Sequence, residues 1–171
     1  MLIGIFGSLS LCHAQSSFTA DFSGSQEVPQ NSSAAYGSVV FTLNGTTLSA
    51  AGGNGAGEFG GLIGFPGAIT VNDAAPGSIG PALFDLEFDA VSSLNGMTFG
   101  SFGGSGTLDA AQITDLDAGN LYVNFEASGY PDGEMRGQIE AVPEPSTLAL
   151  LAASSPAVLA GIRSKRHGSR I

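Results

Sequence analysis

The chain has 171 residues, enough for one domain with accessory segments, and a formal charge of −10. All fifteen carboxylates lie between residues 15 and 144, where Arg136 is the only basic side chain, so nucleic acid and anionic membranes are excluded as partners of this body. The 26 glycines, the absence of tryptophan and a charged fraction of 12% favour short strands and turns over helices, while the single Cys12 and the two histidines, His13 and His167, fall outside the body and leave it without a disulfide, a zinc–thiolate site or an imidazole base.

Leu2 to Leu11 is an apolar run too short to span a bilayer, and Cys12-His13-Ala14 approximates the small-x-small pattern of a signal-peptidase site. Residues 1–14 therefore read as a signal peptide. No Lys or Arg precedes the run, as a start site placed too far downstream would produce. The body, residues 15–141, opens with Phe18, Ala20 and Phe22 in alternation, and Gln26-Glu27-Val28-Pro29 ends that strand because proline cannot donate to a ladder. Val39, Phe41 and Leu43 form the next face, and Asn44-Gly45 predicts a hairpin into Thr47 to Ala51. From Gly52 to Gly67 half of the residues are glycine, which reads as a loop or an irregular edge; the GxGxxG spelled by Gly55 to Gly60 lacks a following helix to hold a pyrophosphate. Phe84, Leu86 and Phe88 alternate with Asp85, Glu87 and Asp89, predicting a half-buried strand with an anionic outer row, and Asn95-Gly96 turns the chain into Met97 to Phe102. Thr107 to Asp109 is a weaker strand, and Ala110 to Asp117 fits either a short helix or a loop. Asp115, Asp117 and Asn120 offer oxygen ligands for calcium, but Gly119 breaks EF-hand spacing and a solvated acidic loop explains them; no cofactor is expected.

Asn120 to Ile139 is where pattern and turn chemistry agree best. Leu121, Val123 and Phe125 alternate with Tyr122, Asn124 and Glu126, and Tyr130-Pro131-Asp132-Gly133 reads as the turn of a hairpin. Matching the apolar faces of the two strands requires a bulge or a longer loop near that turn. Arg136 then stands across from or diagonal to Glu126, and a cross-strand ion pair on the polar face is the expected tie. Ligand contact by Arg136, with an exposed Tyr122 and Tyr130 beside it, is the alternative. About eight short strands with regular turns make an antiparallel sandwich or barrel.

After Ala141 the character changes. Val142 to Thr147, which contains Pro143-Glu144-Pro145, opens an apolar run from Leu148 to Ile162 followed by Arg163, Lys165 and Arg166. As a helix the run extends about 22 Å, so that with its flanks it reads as a short transmembrane segment with the basic cluster in the cytoplasm. This ending, residues 142–166 before a basic tail of residues 167–171, resembles the PEP-CTERM sorting signal of bacterial surface proteins. The resemblance implies recognition by a membrane-embedded exosortase-like protease and delivery to the outer surface or the extracellular matrix, with anchoring by the C-terminus before processing.

The body resembles the CHRD domain. The blocks that carry the likeness are Phe18-Thr19-Ala20 with Gln26-Glu27-Val28-Pro29, then Ala75-Pro76-Gly77 through Gly80-Pro81 to Asp85-Leu86, and then Asn120 to Asn124, Tyr130 to Glu134 and Arg136-Gly137-Gln138-Ile139. The resemblance implies an immunoglobulin-like or superoxide-dismutase-like Greek-key sandwich or barrel and no established enzymatic activity. Many microbial members carry histidines where this chain has Ile69-Thr70-Val71-Asn72 and Glu126, so a copper-type imidazole site is not expected. Asp132 and Glu134 are close enough in sequence to suggest carboxylate-dependent hydrolysis, but turn and register roles account for both. The expectation is an exported, non-catalytic surface or matrix protein, with a binding module for protein or exopolysaccharide as the alternative.

Overall fold

The computed structural model describes residues 16–50 and 57–142. The leader, the sorting triplet Pro143-Glu144-Pro145, the apolar run and the cluster Arg163, Lys165 and Arg166 lie outside the described residues. Among the described residues no helix is long and apolar enough to cross a membrane. The strands are β1 (Ser16–Ser23), β2 (Tyr36–Asn44), β3 (Thr47–Ala50), β4 (Gly57–Ile63), β5 (Pro66–Asp73), β6 (Ala82–Leu94), β7 (Met97–Gly103), β8 (Ser105–Thr107), β9 (Leu121–Ala127), β10 (Tyr130–Gln138) and β11 (Glu140–Ala141), with one helix, α1 (Ala110–Asp117).

Following the pairings β1, β10, β9, β5, β6, β7, β4, β2 leads back to β1, so the sheet closes into an antiparallel barrel, with β3, β8 and β11 as extensions. The meander β5–β6–β7 with β4 beside β7 is a Greek key. Gly64 and Phe65 carry the chain from β4 to β5 past the β6–β7 turn, where the Gly64 amide donates to the Gly96 carbonyl. That turn shows how sequence sets topology. Asn95 and Gly96 both take positive φ, 55° and 79°, the type I′ geometry that matches strand twist, and Leu94 pairs with Met97 across it.

The barrel is filled by aromatic rings. Phe125 packs edge-on against Phe102 at 4.9 Å between centroids, and Phe22 and Phe59 stand 5.1 and 5.7 Å from Phe125. Rings this large in a closed barrel need small residues across from them. A Cβ on Gly57 would overlap the Phe102 ring, and one on Gly137 would overlap Phe22. Gly52 to Ala56 lie outside the described residues, but for the rest the reading as a loop or edge is corrected: Gly57 to Ile63 is an interior barrel strand, paired with β2 on one side and β7 on the other. Gly57 and Gly60 make room for rings, Gly57 for Phe102 and Gly60 for Tyr36. Ala110 to Asp117 takes the helical alternative, started by a capping box in which Asp109 accepts from the amides of Ala111 and Gln112 while the Gln112 side chain accepts from the Asp109 amide.

The β9–β10 hairpin forms, and the register shift required between Tyr130 and Met135 is present. Its turn, however, is not Tyr130 to Gly133. Ala127 pairs with Tyr130, so Ser128 and Gly129 make the turn and Pro131-Asp132-Gly133 is the bulge. The cause is tertiary: the Ser128 and Gly129 amides donate to the carbonyls of Phe65 and Ile63, and the Ser128 hydroxyl accepts from the Phe65 amide. Those bonds fix a two-residue turn against the β4–β5 link.

Candidate functional site

Arg136 pairs with Asn124, placing both on the outer face of the barrel, as the alternation requires. That face is not exposed here. The loop after β1 and the loop between β5 and β6 fold over it, and Arg136 is only 2% exposed. Its guanidinium carbon lies 3.4 Å from the centroid of the Tyr122 ring, a cation–π contact away from water. Nη1 donates to the Ser78 carbonyl at 2.6 Å, and Nη2 to the Ala75 carbonyl and the Gln138 side chain at 3.4 and 3.3 Å. Burial pulls the Arg136 pKa below its ordinary value, opposed by Tyr122 and Glu27, but a guanidinium keeps its charge.

The expected partner was Glu126; the structure replaces it. Glu126 sits diagonally on the same face and is not among the hydrogen-bond partners of Arg136, because the overlying loop supplies carbonyls nearer to the guanidinium. Tyr122, expected on the exposed face, is buried for the same reason, and its hydroxyl accepts from the Gly80 amide. Tyr130 is half-buried and lines a separate cleft of about 230 Å³ with Pro131 and Asp132. Thus the structure brings Arg136 and Tyr122 together and leaves Glu126 and Tyr130 apart from them.

What Arg136 ties down is the loop Ala74 to Pro81. Ala75-Pro76-Gly77-Ser78 is a tight turn with Gly77 at φ 78° and the Ser78 amide donating to the Ala75 carbonyl. Gln138, two residues along β10, donates from Nε2 to the carbonyls of Ala74 and Gly119, and its amide takes the side chain of Gln26 as acceptor. On the bulge side, Asn31 donates to the carbonyls of Gly133 and Glu134. The Glu134 carboxylate, fully buried, accepts from the Ser33 hydroxyl at 2.6 Å and from the Ile63 amide. Asp132, its proposed catalytic companion, is exposed on the bulge.

Glu27 belongs to a block that carries the family likeness, yet no individual role for its side chain is legible in the sequence. It is 7% exposed, one of its oxygens, Oε1, has no hydrogen-bond partner, and it lines both the Tyr130 cleft and a larger one of about 450 Å³ shared with Arg136, Pro76 and Gln138. Burial raises its pKa to about 7, against the opposing pull of the Arg136 charge and the Val28 amide. Its place beside Pro29 marks a strand end, but nothing in the local pattern signals that the side chain turns inward. Of Asp115, Asp117 and Asn120, the Asn120 side-chain amide donates to Asp115, and among the described residues no three His, Cys, Asp or Glu side chains group as metal ligands.

The three blocks Gln26-Glu27, Ala75-Pro76-Gly77 and Arg136-Gly137-Gln138 are far apart in sequence and meet around one guanidinium. The CHRD domain model matches residues 18–139, which contain all three. The chain belongs to the CHRD family. CHRD membership indicates an extracellular or surface module. No curated protein and no solved structure matches the chain. Within the matched residues, these three blocks are the parts that fasten two loops onto the barrel.

Proposed function

We propose that this CHRD protein is an exported, non-catalytic module of the cell surface or extracellular matrix, delivered through its Pro143-Glu144-Pro145 segment by a membrane-embedded, exosortase-like protease. The observation that carries the non-catalytic part is the use made of Arg136 and Glu134. Both are buried, and both are occupied by groups of the same fold: Arg136 by loop carbonyls, Glu134 by a hydroxyl and a strand amide. A catalytic carboxylate or cation has to face a substrate.

Expression of the full chain in a host with and without the sorting protease tests the delivery. With the protease present, the product is expected outside the cell and shorter by the mass of the apolar run and the basic tail. A full-length, membrane-held product in both hosts refutes it. The second reading, a specific binding module, has its own support in a groove remote from Arg136.

A further inference from the structure

A concavity of about 520 Å³ lies away from Arg136, on the outer face where β1, β2, β4, β7 and β6 run side by side. The register aligns Asp21, Ser38, Glu58, Ser101 and Ala90 in one row across these strands. Paired positions share a face, so the row presents two carboxylates and two hydroxyls outward over about 14 Å, at about 4.8 Å per strand. Above the row, Tyr36 pairs with Gly60, and its ring crosses that glycine: Cζ and the hydroxyl lie 2.8 Å, and Cδ1 of Phe99 3.0 Å, from where a Gly60 Cβ would stand. The missing side chain leaves the room that both rings occupy at this point of the trough. Tyr36 remains 61% exposed. Bulges in β4 after Phe59 and in β6 after Phe88 interrupt the ladders at this place and bend the sheet into a trough.

We infer that this groove binds an uncharged polysaccharide chain, with Tyr36 and Phe99 as the platform and Asp21, Glu58, Ser38 and Ser101 as the hydrogen-bonding side. An exposed aromatic face covers the C–H face of a pyranose, while carboxylates accept from its hydroxyls in charge-assisted bonds. The lining contains no cation, and two carboxylates repel uronate or sulfate groups, which selects against anionic polymers. A trough spanning five strands suits a chain rather than a single sugar, since small ligands are held by enclosure. The inference rests on the reading that the domain meets extracellular polymer.

The test is affinity electrophoresis of the full chain in native gels containing xylan, hydroxyethyl cellulose or laminarin, with alginate as the anionic comparison. Retardation is expected in at least one uncharged polymer, insensitive to added salt, and none in alginate. Tyr36→Ala is expected to weaken binding by about tenfold or more with an unchanged melting curve, and Glu58→Gln to weaken it less. Glu58→Gln also serves as the reporter if Tyr36→Ala melts lower. Unaltered mobility in all three uncharged polymers, or retardation kept by both variants, overturns the inference. The gel does not read location, so a chain that binds but is not sorted refutes only the delivery, and one that is sorted but does not bind refutes only the groove.

Discussion

Replacing Arg136 by alanine is expected to destabilise the domain by roughly 3–5 kcal/mol, a large share of the roughly 5–15 kcal/mol that holds a domain of this kind together. The loss has three parts. The Ser78 carbonyl loses its charged donor and the Ala75 carbonyl is left with the Ser78 amide alone, and a hydrogen bond to a charged group is worth about 1.5–3 kcal/mol. The Tyr122 ring loses the cation stacked on it. Glu27 loses the positive charge that offsets its burial. Urea unfolding followed by circular dichroism checks this, and a midpoint equal to wild type would show that the guanidinium carries little of the fold.

The domain is expected to be more stable at pH 5 than at pH 8, through Glu27. Its folded pKa, about 7, lies above the ordinary 4.5, so the fold favours the protonated acid. That contribution is fully present below about 4.5 and is lost as the pH rises through about 7, where the carboxylate must ionise in a site that leaves Oε1 without a partner. The shift corresponds to about 3 kcal/mol at most. Glu27→Gln keeps the shape without the charge, so it is expected to match wild type at pH 5 and exceed it at pH 8. Urea midpoints for the two proteins across that range check the sign; a wild-type profile that is flat or rising, or one that Glu27→Gln leaves unchanged, contradicts it.

Local signals carried much of the fold. Alternation at Phe18 to Phe22 and at Leu121 to Phe125 follows directly from a buried face, and Asn95-Gly96 turns where its chemistry says it must. What local pattern could not show is which faces other segments cover. Alternation puts Arg136 on the polar face, yet that face is buried by loops some 60 and 100 residues away in sequence, a consequence of barrel closure rather than of any strand's own periodicity. The same limit explains the Ser128–Gly129 turn, set by the β4–β5 link, and the glycines of β4, which look like a loop until Phe102 is placed opposite them. The groove was hidden for a related reason. Tyr36, Phe99, Asp21 and Glu58 come from four strands, and only the register puts them together.

The central claim is that Arg136 is an internal fastening of the Ala74 to Pro81 loop rather than a contact for a ligand. Native-state hydrogen exchange on Arg136→Lys tests it most directly, because lysine keeps the charge but cannot fork between two carbonyls. The account predicts faster exchange at the Ser78 and Gly80 amides, which bond to Ala75 and Tyr122, with protection retained at Val123 and Phe125 in the barrel wall. Unchanged protection at Ser78 and Gly80, together with lost retention on matrix polymer, would contradict it.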